Sequence, residues 1–391
     1  MDSRLRAIYS SRKMIIGIDV SSTAYGTGVS NYTLNLVRHL LKNDRQNFYK
    51  IFFSSLRLPL PKEISDLQKY KNLKIYYFHY PQSFLAFLWN KLHILPIELF
   101  IGKCDVFHSS DWTQAPTFKA KSVTTIHDLA PFINPSWLHP KIVSTHRDKM
   151  YWAQKKCQSF ICVSENTKKD LLKIFPKINP QKCQVVYEAA EDKYGLFLKQ
   201  SPELQSRKKI AIEKQYGLKK FILSQGTREP RKNLPRLIEA FNLYHQKHPR
   251  SPVELAITGK YGWGKDVLHL KKPCIKILGY IPEKDMVALH ASALFLAYPS
   301  LYEGFGLPVI KSMKVGVPVL TSNTSSMPEI VGKSGLLVNP RSVDNIYQAI
   351  VKLLSSSILR KQLSDNAKKI ASKFSWDQTA LQTLEIYSKL R

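Results

Sequence analysis

The sequence predicts an α/β chain of two units, each a parallel sheet covered by helices, and three observations carry that prediction. Apolar runs of strand length alternate with helix-period segments through both halves. Turns containing glycine follow several of those runs directly, at residues 25–29, 226–233 and 302–307, the places where α/β sheets carry their functional groups. A length of 391 residues with 44% hydrophobic content is enough for two cores and excludes global disorder. The first unit is expected over residues 1–200 and the second over 201–374, with 375–391 forming a closing helix.

The formal charge of +30 points to an anionic partner: a nucleotide diphosphate, an anionic membrane surface or nucleic acid. The excess is shared almost evenly between the halves, which argues against a dedicated nucleic-acid face. Five cysteines without C-x-x-C spacing fit neither a zinc site nor a disulfide framework, and a reducing, cytoplasmic setting suits them. No uncharged apolar run reaches membrane-spanning length.

In chain order, residues 1–13 carry Arg4, Arg6, Arg12 and Lys13 without the apolar run of a signal peptide, so they read as a basic tail, with Met14 an alternative start. A strand at 14–20 feeds a loop holding Gly26 and Gly28, where the backbone lets a ligand approach and the helix behind it favours phosphate. Strands follow at 49–54 and 73–77. Segment 83–102 reads as an amphipathic core helix, attachment to a membrane surface being the other reading. Residues 104–108 form a strand end, and the central strand 123–126 delivers His127 and Asp128 at its carboxyl end. A strand at 160–163 precedes a helix capped by Ser164, and 185–187 closes the first series.

The polar, basic stretch 191–217 interrupts the alternation and reads as a linker. After a strand at 221–225, Gly226, Thr227, Arg228, Glu229, Pro230, Arg231, Lys232 and Asn233 open a helix to about residue 245. Guanidinium, ammonium and free amides at a helix start suit a diphosphate, with Arg for forked contacts and Lys as a point charge; pairing with Glu229 is the competing use. Strands at 255–258 and 277–281 carry Gly259 and Tyr280, and a helix is expected at 285–291. A buried strand at 293–298 leads through Glu303, Gly304, Phe305 and Gly306 into a helix opened by Leu307 and Pro308 and stopped at Gly316. A strand at 317–320 follows, and 343–374 and 377–390 read as helical.

The run E-G-F-G-L-P from Glu303 resembles the nucleotide-binding signature of the retaining glycosyltransferases of family 4, also called group 1. Four more segments are similar to that family in the family's own order. They are the loop around Gly28, the His127-Asp128-Leu129 segment, the V-S-x-x-T-x-x-D-L segment from Val163, and the G-T-x-x-P-R-K-N segment from Gly226. The resemblance covers nearly the whole chain from Met14 onward. It implies a GT-B fold: two Rossmann-like domains with parallel sheets facing across a cleft, and a last helix that crosses back onto the first domain.

It also implies the activity, a retaining, metal-independent transfer of a hexosyl group from a nucleotide-diphosphate sugar to a glycan or lipid-linked acceptor hydroxyl. Mannosyl-transferring members, a polysaccharide or glycolipid acceptor and the inner membrane face are the lean; no cofactor is expected. On the resemblance, Arg231 and Lys232 grip the diphosphate together with Thr227 and the amides near Gly28. Glu303 holds sugar hydroxyls beside the amides of Gly304, Phe305, Gly306 and Leu307, and His127 fixes the sugar's far hydroxyl. Gly259 and Tyr280 complete the donor set, while Trp137, His139 and Tyr151 face the acceptor. No carboxylate nucleophile is implied, so the expected route is front-face displacement with the leaving phosphate taking the acceptor's proton. The family's second glutamate, eight residues after Glu303, is Lys311 here, which has three donors and no acceptor for ribose hydroxyls. Altered ribose contacts, a phosphate-binding Lys311 and a degenerate binding module are all compatible with that exchange, and a basic nucleic-acid-binding protein is the reading from another class.

Overall fold

The computed structural model describes residues 13–264, 267–270 and 272–390. The basic tail with Arg4, Arg6 and Arg12 lies outside the described residues. The chain divides into two compact units, the first running up to Pro135, through Pro140–Glu188 and from Ser375 onward, the second comprising Ser136–His139 and Ala189–Phe374.

The first unit is built on a seven-stranded parallel sheet: β1 (Ile15–Asp19), β2 (Phe48–Ser54), β3 (Leu73–Phe78), β4 (Val106–Ser109), β5 (Lys121–Ile126), β6 (Ser159–Cys162) and β7 (Cys183–Val185), in the order β3-β2-β1-β4-β5-β6-β7. The order reverses between β1 and β4, so the loops after those strands part at a crevice-forming switch point. β-branched and aromatic side chains fill the central strands on both faces, as a doubly covered parallel sheet requires; Ile18 pairs with Ile51, and Val123 with Ser159. The second unit repeats the design with six parallel strands: β8 (Lys220–Gln225), β9 (Val253–Thr258), β10 (Ile275–Gly279), β11 (Leu296–Tyr298), β12 (Val319–Ser322) and β13 (Gly335–Val338), in the order β10-β9-β8-β11-β12-β13. Here the switch point lies between β8 and β11, whose following loops carry Arg231, Lys232 and Glu303. The expected fold class of two Rossmann-like parallel-sheet domains is what the chain adopts.

The closing helix, Trp376–Lys389, belongs to the first unit. Ser375 caps it by accepting from the Gln378 amide, and Trp376 and Tyr387 are buried. The Tyr387 hydroxyl lies 2.6 Å from His108 Nδ1, and Thr379 donates to the Tyr187 carbonyl at 2.7 Å.

Three segments depart from expectation. Residues 83–102 are not one helix: Gln82–Ala86 is α-helical, Phe87–Leu92 is a π-turn, and a last turn forms at Glu98–Ile101. His93 and Leu95 take left-handed φ values of 53° and 59°, and Pro96 bars its predecessor from helical geometry. The stretch 191–217 is not a linker but two helices, Asp192–Leu198 and Pro202–Tyr216. It read as irregular because its side chains are mostly exposed and polar, so no apolar stripe marks the period. The first of these helices packs on Glu283–Ser292 and Leu307–Lys314, which moves the packing boundary to Glu188/Ala189, ahead of 200/201. Residues 343–374 are two helices, Val343–Ser355 and Ser357–Ala371, parted by Ser356, whose side chain caps the second.

Candidate active site

In the second unit the site grows from three loops at the carboxyl ends of β8, β9 and β11. After β8, Gly226 takes φ 148°, and after β9, Gly259 takes φ 125°. A Cβ at Gly259 would stand 1.9 Å from the Gly226 carbonyl oxygen, so the two loops meet backbone to backbone. The Arg228 amide donates to the Lys260 carbonyl at 2.9 Å, and the Gly262 amide to the Arg228 carbonyl at 3.2 Å. The contact clamps the loop carrying Thr227. A short 3₁₀ turn, Pro230–Lys232, then aims Arg231 and Lys232 inward, and Asn233 closes it at φ 59°. Asn233 is fixed there because its side-chain amide donates to the carbonyls of Pro299 and Pro340 at 2.9 and 2.6 Å.

The third loop follows β11 and brings Glu303. Its carboxylate accepts from Arg231 Nη1 at 2.9 Å and from Lys232 Nζ at 2.7 Å. Arg231 also donates to the Tyr302 carbonyl and to Glu229 at 2.8 Å each, while Lys232 donates to the Tyr298 hydroxyl at 2.6 Å. All four charged groups are largely buried, with Glu303 only 5% exposed. Burial alone would push the Glu303 carboxyl up, but Arg231 and Lys232 more than reverse that and hold it down at about 2. The Lys232 ammonium is raised: burial and Arg231 work against its charge, Glu303 and Tyr298 outweigh them. The pairing of Arg231 with Glu229 left open by the sequence is present, together with a second one to Glu303. The Ser325 hydroxyl accepts from the Glu303 amide at 3.1 Å and Ser326 donates to the Glu303 carbonyl at 3.0 Å, fixing the loop from below.

Gly306, at φ 93°, turns the chain into the helix Leu307–Lys314. A Cβ there would fall 2.5 Å from the terminal methyl of the flexible Met327 side chain, so it is the positive φ that favours glycine at this turn. Pro308 lies in the first turn as expected. The Phe305 ring stacks edge-on against Phe374 at 5.8 Å and is core, leaving its backbone as the part of this residue at the turn. Tyr280, by contrast, is 60% exposed beyond the left-handed Gly279, with the Lys260 ammonium 4.9 Å over its ring. Trp137 stacks 6.5 Å from Tyr302 and accepts at its carbonyl from Trp263 Nε1.

Lys311 is buried, and its ammonium sits 3.0 Å from Glu191 Oε1 and 5.5 Å over the Tyr194 ring. Burial works against the charge, but Tyr194, Glu191 and Glu283 raise the group above the ordinary lysine value. The other Glu191 oxygen, Oε2, is buried with no hydrogen-bond partner. Sequence reasoning missed Glu191, which lies in the supposed linker 120 residues before Lys311.

The first unit carries a second constellation. Gly28 opens the helix Gly28–Asn43 with ordinary φ, and Thr27 and Ser30 form a reciprocal capping box ahead of it. The left-handed residue of this loop is Gly26, so backbone freedom resides there rather than at Gly28. His127, just past β5, places Nδ1 3.1 Å from Glu188 Oε1, and the Tyr32 ring meets its edge at 4.6 Å. Burial would lower the imidazole's pKa, yet the Glu188 hydrogen bond and the charges of Asp111 and Glu188 raise it. His146 lies 3.8 Å from Asp111, and Lys149 is 1% exposed, its ammonium lowered chiefly by burial. Sequence reasoning missed Glu188, Asp111, His146 and Lys149; no local motif marks them, because they converge only when β4, β5 and β7 are aligned. Among the described residues no group of three or more His, Cys, Asp or Glu is placed to hold a metal ion, and no helix is long and apolar enough to cross a membrane.

Two Rossmann-like units, with Arg231, Lys232 and Glu303 clustered at the switch point of the second, define the class of α/β protein to which the chain belongs. Residues 205–370 match the family described as glycosyl transferases group 1, and residues 26–192 match glycosyltransferase family 4. The chain belongs to that family and is a glycosyltransferase. It is 28% identical over 378 residues to the O-antigen chain mannosyltransferase B of Escherichia coli, covering 93% of this chain and 96% of the relative. It is 26% identical over 296 residues to the serotype-specific mannosyltransferase WbdA of the same species, spanning 72% of this chain but 36% of that longer protein. Among solved structures, Anabaena HepE in complex with UDP and glucose superposes with a TM-score of 0.70 at 16% identity, over 96% of this chain and 100% of that one.

Proposed function

We propose that this enzyme transfers a mannosyl group from a nucleotide-diphosphate sugar to a hydroxyl of a growing glycan or lipid-linked acceptor. Retention of the anomeric configuration and independence of metal are part of the reading, as is work in the cytoplasm beside the inner membrane. The observation that carries it is the Arg231–Glu303–Lys232 cluster at the carboxyl ends of β8 and β11. Two of the three Lys232 donors are engaged, by Tyr298 and Glu303, and the third is the one a departing phosphate oxygen would take. Glu303 and Glu229 hold both cations in place before the donor arrives, so little reorganisation is needed as negative charge develops on the leaving group. Glu303 keeps acceptor capacity for sugar hydroxyls, since each carboxylate oxygen has used one lone pair. The mannosyl assignment rests on the two relatives named for that activity.

Degeneration at Lys311 was the competing reading. Its burial against Glu191 favours activity, because Glu191, at the start of a neighbouring helix, places a carboxylate 3.0 Å from the Lys311 ammonium and keeps Oε2 unpaired.

Titration calorimetry with UDP, GDP and ADP tests the reading. One nucleotide is expected to bind, and Lys232→Ala is expected to weaken it by about one to two decades, the worth of a charge-assisted hydrogen bond. Absence of binding to all three, with the protein folded, would overturn it; binding without sugar transfer to any acceptor or water would leave a degenerate module.

A further inference from the structure

The first unit gathers charged groups to which donor binding gives no task. Around the carboxyl ends of β1, β4, β5 and β7, the carboxylates of Asp19, Asp111 and Glu188 stand among the basic side chains of His127, His146 and Lys149, the last two on the helix Pro140–Lys156. Two of the carboxylates are engaged inside the protein: Glu188 holds His127, and Asp19 accepts from the Ser21 amide at 2.8 Å. Asp111 and Lys149 are not. Among the described residues Asp111 accepts no hydrogen bond, and its nearest ionic partner is His146 Nε2 at 3.8 Å. Lys149, only 1% exposed, forms neither a hydrogen bond nor an ion pair among the described residues.

The two groups nevertheless act on each other. Burial works to raise the Asp111 carboxyl, but His146, Lys149 and His127 outweigh it and hold it low. Burial lowers the Lys149 ammonium, and Asp111 is the first group to offset that. Buried opposite charges that interact without bonding call for a third group that serves both. Asp19, Tyr32, Ser110, Asp111, Thr125 and His127 line a cavity of about 20 Å³, room for one hydroxyl-sized group. Asp111 and His146 still keep 12% and 15% of their side chains in solvent, and the half-buried Trp112 ring lies 5.3 Å from that of His146.

We infer that this cleft binds the terminal sugar of a neutral acceptor glycan, one ring hydroxyl donating to Asp111 and accepting from Lys149, with His146 and Trp112 against the rest of the ring. The inference rests on the glycosyl-transfer reading above and narrows its acceptor. A hydroxyl is donor and acceptor at once, so it satisfies ammonium and carboxylate together. A phosphate or carboxylate would satisfy Lys149 but face Asp19 and Asp111 as a like charge. The reaction that supplies the acceptor is therefore one that leaves an uncharged sugar at the chain end.

Saturation-transfer NMR on the full chain tests this with methyl α-mannoside and the corresponding acid, methyl α-mannosiduronate. The neutral glycoside is expected to bind at least about tenfold more tightly than the acid. Asp111→Asn keeps the shape and removes the charge, and is expected to weaken the neutral glycoside by about one to two decades, the worth of a charge-assisted hydrogen bond. Lys149→Met is expected to weaken it as well. Nucleotide binding by calorimetry reports the fold and the second unit's site, and is expected to be unchanged in both variants. Equal affinity for the acid, glycoside binding that Asp111→Asn leaves unaltered, or no glycoside binding by a natural chain that binds nucleotide overturns the inference and leaves the donor reading standing. A natural chain that binds neither nucleotide nor glycoside overturns both.

Discussion

Lys311 shows how a residue that opposes its family's pattern is accommodated. Glutamate-to-lysine exchange reverses a charge, and the reversal is absorbed by Glu191, 3.0 Å away in a buried pair. Restoring the family's glutamate at this position would therefore not restore a ribose contact but would bury two carboxylates together beside Glu283. Lys311→Glu is expected to cost about 3–5 kcal/mol, the penalty for breaking a buried pair from one side. That corresponds to a fall in melting temperature of at least about 6 °C. The double change Lys311→Glu with Glu191→Lys should recover most of it. Thermal unfolding of the three variants decides the matter, and a single variant as stable as the parent would show that the pair is not formed. His127 follows the same logic on a smaller scale: the histidine was legible in its H-D-L context, but the carboxylate that raises its pKa, Glu188, was not.

At the level of elements, the glycine turns carry more geometric constraint than the helices they open. Gly226 and Gly259 let two loops touch at backbone level, a contact no side chain tolerates. Gly259→Ala is expected to destabilise the protein by at least about 2 kcal/mol, from the positive φ and the overlap with the Gly226 carbonyl. By displacing the loop of Thr227, it should also weaken nucleotide binding. Urea unfolding and calorimetry on the variant measure both, and an unperturbed protein would contradict the close approach. Gly28, which the sequence offered with Gly26 for a ligand's close approach, has ordinary φ, and the capping box of Thr27 and Ser30 stands at the start of its helix. Segment 82–101 illustrates the opposite failure. Its apolar periodicity is helical throughout, yet left-handed His93 and Leu95 and the restriction before Pro96 break it. The break allows apolar side chains to leave on both sides.

For the molecule as a whole, the chain passes from the first unit to the second and returns, and the return is bonded rather than incidental. The last helix buries Trp376 against Tyr32 and His39, ties Asp377 to Lys42 and Asn43, and sets Tyr387 on His108. Deleting residues 375–391 removes several fully buried large side chains, each worth about 1.5–3 kcal/mol. A truncated chain should be insoluble or rapidly cleaved within the first unit under limited proteolysis; one that melts like the full chain would show that the helix is dispensable.

By itself the sequence determined the α/β class, twelve of the strands to within a few residues, the cap at Ser164, and the loops that bear Arg231, Lys232 and Glu303; the strand Gly335–Val338 and the cap at Ser375 were not read from it. What it determined is local: period, turn chemistry and capping act over fewer than about ten residues and are written where they act. The tertiary structure alone decided which charges meet. Glu303 with both cations, Glu188 with His127 and Glu191 with Lys311 are brought together by sheet order and helix packing from segments 60 to 120 residues apart. A carboxylate has no local preference that announces such a partner. Its energy depends on burial and on what stands within a few ångströms, and both exist only after the chain has folded.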